Sequence, residues 1–249
     1  MKTFNKISRN LIGFLSVGIF ICLWQFSCSH GFFDPKILPS PFDLMTRTYE
    51  LLANANFAFD FLVTVIEILL GVLIGSATAL FTAFVFFRSK MIERLSMPLI
   101  LIAQITPKIA LAPLFVLWFG LGLASKVWLV ALVTFFPVLV NCLTGLRSIS
   151  PAMFELSKIL EFNRFQRIIK IELPSIRSHL STGIRLGSLA GVTAAVIGEM
   201  IGARAGLGYV VIRGQETADI SQSLVSIFML GFLGLLFWLG FQKVAQKTK

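Results

Sequence analysis

The chain has 249 residues, of which 56% are hydrophobic and only 14% charged, and its mean hydropathy is +0.86. That composition defines an integral membrane protein and excludes an ordinary soluble enzyme domain. The net charge of +10 does not point to nucleic acid, because in a membrane chain the distribution of Lys and Arg matters more than their total.

The length accommodates about six spans of roughly 20 residues plus loops, so an all-α membrane protein forming one domain over residues 1–249 is expected. Lys2, Lys6 and Arg9 precede an apolar run over 11–28. The run exceeds a typical signal-peptide core, and Ser27-Cys28-Ser29 is a poor cleavage site, which predicts a retained first span with a cytoplasmic N-terminus. Residues 29–60 turn polar, with Pro35, Pro39 and Pro41, and read as an external loop carrying a short helix over 41–52. The second span, 61–87, places Gly71, Gly75, Ala79 and Ala83 at intervals of four, a stripe that permits close helix approach.

Arg88, Lys90 and Arg94 mark a cytoplasmic turn before a third span over 97–119. Pro98, Pro107 and Pro113 are too many for one straight helix there, and both a structural kink and a bend lining a pathway fit them. After an external turn at 120–126, the fourth span, 127–146, contains Pro137 and Asn141. The fifth, 182–201, repeats the small-residue stripe with Gly183, Gly187, Gly191 and Ala195, making it a natural packing partner for the second. Residues 202–221 form an external loop whose GARAGLG lacks the Gly-Lys-Ser/Thr ending of a phosphate loop. A sixth span, 222–241, leads to Lys243, Lys247 and Lys249. This layout puts 15 Lys/Arg on the cytoplasmic side against 5 outside, so both termini are expected in the cytoplasm. Cys22, Cys28 and Cys142 have no paired spacing and read as small buried hydrophobes.

Between the fourth and fifth spans lies a basic, amphipathic stretch, 150–177. Ser150-Pro151 is a helix start, and Met153, Leu156, Leu160, Phe165, Ile168 and Ile169 recur at helical spacing on one face. Leu173-Pro174 is expected to end the helix, because the residue before proline is pushed out of the α region. On these residues alone the stretch suits either a partner or the inner headgroup layer of the membrane lipid.

Glu155-Leu156-Ser157, followed at a fixed distance by Leu173-Pro174, resembles the cytoplasmic "EAA" loop of binding-protein-dependent ABC importer permeases. Residues 107–122 (PKIALAPLFVLWFGLG) and 198–209 (GEMIGARAGLGY) resemble the same family, most closely its nitrate, sulfonate, taurine and vitamin-precursor branch. The resemblance implies a type I importer permease fold in a bacterial inner membrane. It further implies a homodimer, two separate ATPase subunits, an extracytoplasmic substrate-binding protein and no cofactor. Glu155, Leu156 and Ser157 would form the docking turn of a coupling helix, and Leu173 and Pro174 its exit. The family's usual glycine six residues after the glutamate is Glu161 here, and Asn163, which tolerates the left-handed region, is expected to take over the bend.

The sequence has no Walker lysine loop, no metal-ligand cluster and no nucleophile–His–acid set, so hydrolysis is expected on a partner. The alternative is a self-sufficient carrier or channel, for which more ionisable groups than Glu67, Lys108 and Arg185 would be expected within the spans. Helical rise puts Glu67 and Lys108 about 5 Å apart in depth, near enough to pair if their helices are neighbours. Glu67, Lys108 and Asn141 are candidate pathway residues, the plainer reading of Glu67 and Lys108 being a purely structural pair.

Overall fold

The computed structural model describes residues 2–246, with side chains over 15–107 and 109–242. The side chains of Lys2, Lys6, Arg9, Lys108 and Lys243, and residues Lys247 and Lys249, lie outside the described residues. In chain order the helices are α1 (Lys2–Ser29), α2 (Pro41–Leu52), α3 (Ala55–Arg88), α4 (Lys90–Ile105), α5 (Lys108–Phe119), α6 (Leu123–Arg147), α7 (Pro151–Ile159) and α8 (Arg164–Arg167). A π-helical turn, Ile168–Glu172, joins α8 to α9 (Leu173–Gly202), and α10 (Leu207–Glu216) and α11 (Ile220–Gln246) complete the chain.

Helix α6 is the axis of the bundle, with Val130, Thr134, Val138 and Cys142 all buried along its length. Both small-residue stripes pack mainly on α6, and the two striped helices also touch each other directly, a Cβ at Gly191 lying 3.5 Å from Val72 Cγ2. The reason for the preference for α6 is volume, since two small-residue faces would leave a void while the β-branched ridge of α6 fills both. A Cβ at Gly71 would sit 2.5 Å from Val130 Cβ, one at Gly187 2.8 Å from Thr134 Cγ2, and one at Gly75 would overlap the Ala131 carbonyl.

Among the described residues four helices are long and apolar enough to cross a membrane: α3, α6, the continuous helix Arg164–Gly202, and Ile220–Gln242. The apolar helices α4 and α5 pass the same test only as a pair, which is bent by 103° at Thr106-Pro107 and has the shape of a broken span or a re-entrant loop. The third expected span is thus not one straight helix, because Pro107 removes a helical hydrogen-bond donor there and fixes the turn. The described apolar part of α1 is Leu15–Ser29.

Helix α2 has the bounds expected for it. Ser40 Oγ accepts the Asp43 N–H at 3.2 Å, and the Asp43 carboxylate accepts the Ser40 N–H at 3.1 Å, a reciprocal cap with Pro41 in the first turn. Together α2, α10 and one end of α11 share a small core of Leu44, Leu51, Val211 and Val225. This closes the end of the bundle opposite α7.

Candidate functional site

The 150–177 stretch folds as a short helix, α7, a turn, and the start of the continuous helix Arg164–Gly202, and not as one helix. Ser150 stands at the N-cap of α7 with Pro151 in the first turn, although its hydroxyl makes no capping bond. The helix stops at Leu160, and the reversal is made by Glu161 itself, at φ +51°. Asn163 does not make the bend as expected. It is extended (φ −68°, ψ 169°) and caps α8, its Oδ1 accepting the Gln166 N–H at 2.8 Å while Gln166 Oε1 accepts the Asn163 N–H at 3.0 Å. Asn is worth more as a cap here than at the turn, since α8 has too few internal bonds to hold itself. Leu173-Pro174 likewise does not end a helix: Pro174 lies in the first turn of α9, which continues α8. The wide turn Ile168–Glu172, with the Leu173 N–H bonded back to the Ile168 carbonyl, makes room for the proline ring where an α-turn would clash.

The hairpin presents Glu155, Leu156, Ile159 and Leu160 as exposed side chains, with Phe165 70% exposed beyond the turn. Ser157 faces inward and is buried, its hydroxyl donating to the Phe154 carbonyl at 2.7 Å. A large apolar patch next to Glu155 on a turn is the composition of a docking surface.

The hairpin is fastened to the bundle by groups that the sequence reading passed over. Glu172 is fully buried in the π-turn, its Oε2 accepting Arg88 Nη2 from the end of α3 at 2.8 Å and its Oε1 3.3 Å from Arg167 Nε. Phe154 of α7 stacks on Phe87 of α3 with centroids 6.2 Å apart, and the Arg167 guanidinium lies 5.9 Å over the Phe154 ring. Arg147 at the end of α6 pairs with Glu93 of α4. Helix α7 is therefore held to α3 and α9 by direct contacts and not by a loose linker alone.

At the opposite end sits a buried polar hub beneath the GARAGLG loop. Thr64, Lys126, Glu199 and Glu67 are each no more than 2% exposed. Glu199 accepts Thr64 Oγ1 at 2.6 Å and the Gly208 N–H at 2.6 Å, Thr64 Oγ1 accepts the Leu207 N–H at 2.8 Å, and Asp60 accepts the Gly206 N–H at 2.9 Å. These acceptors satisfy the orphan N–H groups at the start of α10, where carboxylates also suit the helix dipole. Lys126 Nζ donates to the carbonyls of Leu121 (2.6 Å), Gly122 (3.1 Å) and Gly202 (2.5 Å). Glu67 faces Glu199 and lies near Lys126, with one oxygen unpartnered. The observed neighbours of Glu67 are thus on α6 and α9; the Lys108 side of the expected pair lies outside the described side chains. Glu199 was detectable as an acid inside an apolar run, seven residues before the Gly-Leu-Gly that starts a helix.

A cavity of about 460 Å³ lies between the bent pair α4–α5, α6 and α9, lined by Gln104, Pro107, Phe136, Pro137, Thr193 and Ile197 among others. Neither Glu67 nor Asn141 lines it. Asn141 donates to the Pro137 carbonyl at 2.8 Å and packs where α9 has Gly183.

A bent helix pair beside a cavity, with a fastened hairpin at one end of a bundle of long apolar helices, defines a helical membrane protein. Residues 58–245 match the family described as "Binding-protein-dependent transport system inner membrane component", and the chain belongs to it. The chain is 32% identical over 228 residues to a probable ABC transporter permease protein of Haemophilus influenzae, covering 91% of this chain and 92% of that one. It is 29% identical to a putative aliphatic sulfonates transport permease, SsuC, of Bacillus subtilis (90% and 81% covered). It is 32% identical to the formylaminopyrimidine transport permease ThiX of Halalkalibacterium halodurans (89% and 88% covered). Among solved structures, an inward-facing conformation of the MetNI methionine ABC transporter superposes with a TM-score of 0.62 at 17% identity, covering 83% of this chain and 96% of that one. This shows a shared fold. The chain is thus the permease component of a binding-protein-dependent ABC transporter.

Proposed function

We propose that the α7–α8 hairpin docks on a separate ATPase subunit, and that two copies of this chain with two ATPases form an importer fed by an extracytoplasmic substrate-binding protein. The hairpin end then faces the cytoplasm and the α10 end faces outward, in keeping with the bias of Lys and Arg along the chain. The observation that carries the reading is the exposed patch of Leu156, Ile159, Leu160 and Phe165 beside Glu155, on a hairpin clamped to α3 and α9 through Glu172. An amphipathic helix merely resting on lipid has no need of a buried ion-pair clamp. Glu155, Leu156 and Ser157 form the docking turn, with Ser157 supporting it from behind, Glu161 setting the reversal, and Leu173 and Pro174 starting the helix that carries the motion inward. The pathway runs along the cavity at the bent pair α4–α5. The cargo is a small organic solute of the kind carried by the sulfonate and pyrimidine relatives.

The test is ATP-dependent uptake in vesicles containing this chain, its ATPase and its binding protein. Glu155→Lys is expected to abolish uptake while ATP hydrolysis and membrane insertion persist. Uptake by this chain alone, without the ATPase, would sink the reading.

A further inference from the structure

A second feature lies between α9 and α11, adjoining the cavity at Thr193 and Ile197. An apolar groove of about 650 Å³ runs between the two helices, past Leu189, Val192, Ile227 and Leu230, over Gly231 and Gly234, to Trp238. The glycines keep it open: nothing lies within 4 Å of a Cβ built at Gly231. At its hairpin end the Arg185 guanidinium sits 3.9 Å over the Trp238 ring, and Arg185 Nε is buried with no hydrogen-bond partner.

Among the described residues no carboxylate pairs with Arg185. Helix α11 contains no acid, and the acids nearest in sequence, Glu172 and Glu199, are 13 and 14 residues away, roughly 20 Å along the helix. Glu172 and Glu199 are also committed elsewhere, to Arg88 and to Thr64 and Gly208. Helical rise puts Arg185 and Trp238 each about 26 Å from the far ends of their helices, close to the membrane–water boundary for a core about 30 Å thick. An arginine over a tryptophan belongs at that boundary. From Trp238 to Ile227 the groove is roughly 17 Å long, about the depth of one leaflet.

We propose that this groove is a binding site for one anionic phospholipid of the leaflet on the hairpin side. The phosphate takes the free edge of Arg185, the guanidinium is held flat by Trp238, and an acyl chain lies in the groove over Gly231 and Gly234. A zwitterionic lipid fits the groove but brings its own cation, which leaves Arg185 less well compensated.

The test uses the full chain in lipid vesicles with Trp24, Trp118 and Trp128 replaced by Phe, so that Trp238 alone fluoresces. Brominated phosphatidylglycerol and brominated phosphatidylcholine are compared as quenchers at equal mole fraction. Phosphatidylglycerol is expected to occupy the site about fivefold more strongly, the effect of one cation near an anionic lipid. Arg185→Gln should bring the ratio to near one, and Arg185→Lys should keep most of it. Gly234→Leu, which fills the groove and leaves the charge, should weaken quenching by both lipids. Equal quenching by the two lipids with Arg185 intact would overturn the proposal, as would a preference that survives Arg185→Gln. So would disulfide pairing of two chains through Gly231→Cys in a cysteine-free background, which would make the groove an interface between copies.

Discussion

At single positions, backbone geometry makes two predictions. Glu161 holds a left-handed conformation that costs a side-chain-bearing residue about 1–2 kcal/mol, against roughly 0.5–1 kcal/mol of extra chain entropy for glycine. Glu161→Gly should therefore stabilise the chain slightly, by up to about 1.5 kcal/mol, and raise the thermal unfolding midpoint, and Glu161→Val should lower it; a lower midpoint for the glycine variant would contradict the turn as described. The reverse holds at Gly206, whose φ of +113° and contact with the Glu199 carboxylate leave no place for a methyl group. Gly206→Ala should cost about 1–3 kcal/mol from the backbone alone, whereas Gly18→Ala, with open space around it, should be close to neutral. Unfolding of the purified variants in detergent distinguishes the two. In the sequence, Glu161 was visible as a departure, but the motif could not say whether the turn had moved or the residue had yielded. The answer depends on Asn163 being needed as a cap.

Among elements, the clamp between the hairpin and the bundle rests on an unequal trio. Glu172 is fully buried while Arg88 and Arg167 are about one-third exposed, so removing different members costs different amounts. Arg88→Met leaves a buried carboxylate with one poorly aligned partner and should cost about 3 kcal/mol, whereas Glu172→Gln frees two arginines that reach water and should cost about 1 kcal/mol. Equal losses in thermal stability would argue against burial as the cause. Where both variants assemble, each should also lower uptake per ATP hydrolysed, since the hairpin would move without taking α3 with it. The helices themselves were largely legible, because apolar runs and their basic flanks have no other reading in a bilayer. The helix-to-helix assignments were only partly legible: matched glycine stripes suggest a pair, and the two do touch, but only the ridge of Val130, Thr134 and Val138 shows that a third helix takes most of both stripes. Glu172, Arg88 and Arg167 were hidden for a similar reason. In sequence they are ordinary loop charges, and only the π-turn buries one of them.

For the whole molecule, the same distinction separates the transport class from the details of the site. Three motif blocks in order carried the class, and the matched family covers residues 58–245. The hub around Glu199 and Lys126 escaped because its members come from three helices and bond mostly to backbone groups, which leave no mark in a residue pattern. Cutting the hub should affect the α10 end without touching the hairpin. Glu199→Ala is expected to destabilise the chain by about 2 kcal/mol or more by orphaning the Gly208 N–H and the Thr64 hydroxyl, while the isolated ATPase binds as before. Loss of ATPase binding in that variant would mean that the two ends are not separable. The helix Arg164–Gly202 joins those ends as one piece about 57 Å long, gripped near Gly187, where Thr134 of α6 fills the gap left by the missing side chain. A pivot there would divide it unevenly, with about 35 Å on the hairpin side and about 22 Å on the other. On the proposed function, a rocking of about 5° would swing the tip by Arg164 through roughly 3 Å and the Glu199 end through roughly 2 Å in the opposite sense, so that a push on one membrane face would arrive at the other reversed and reduced.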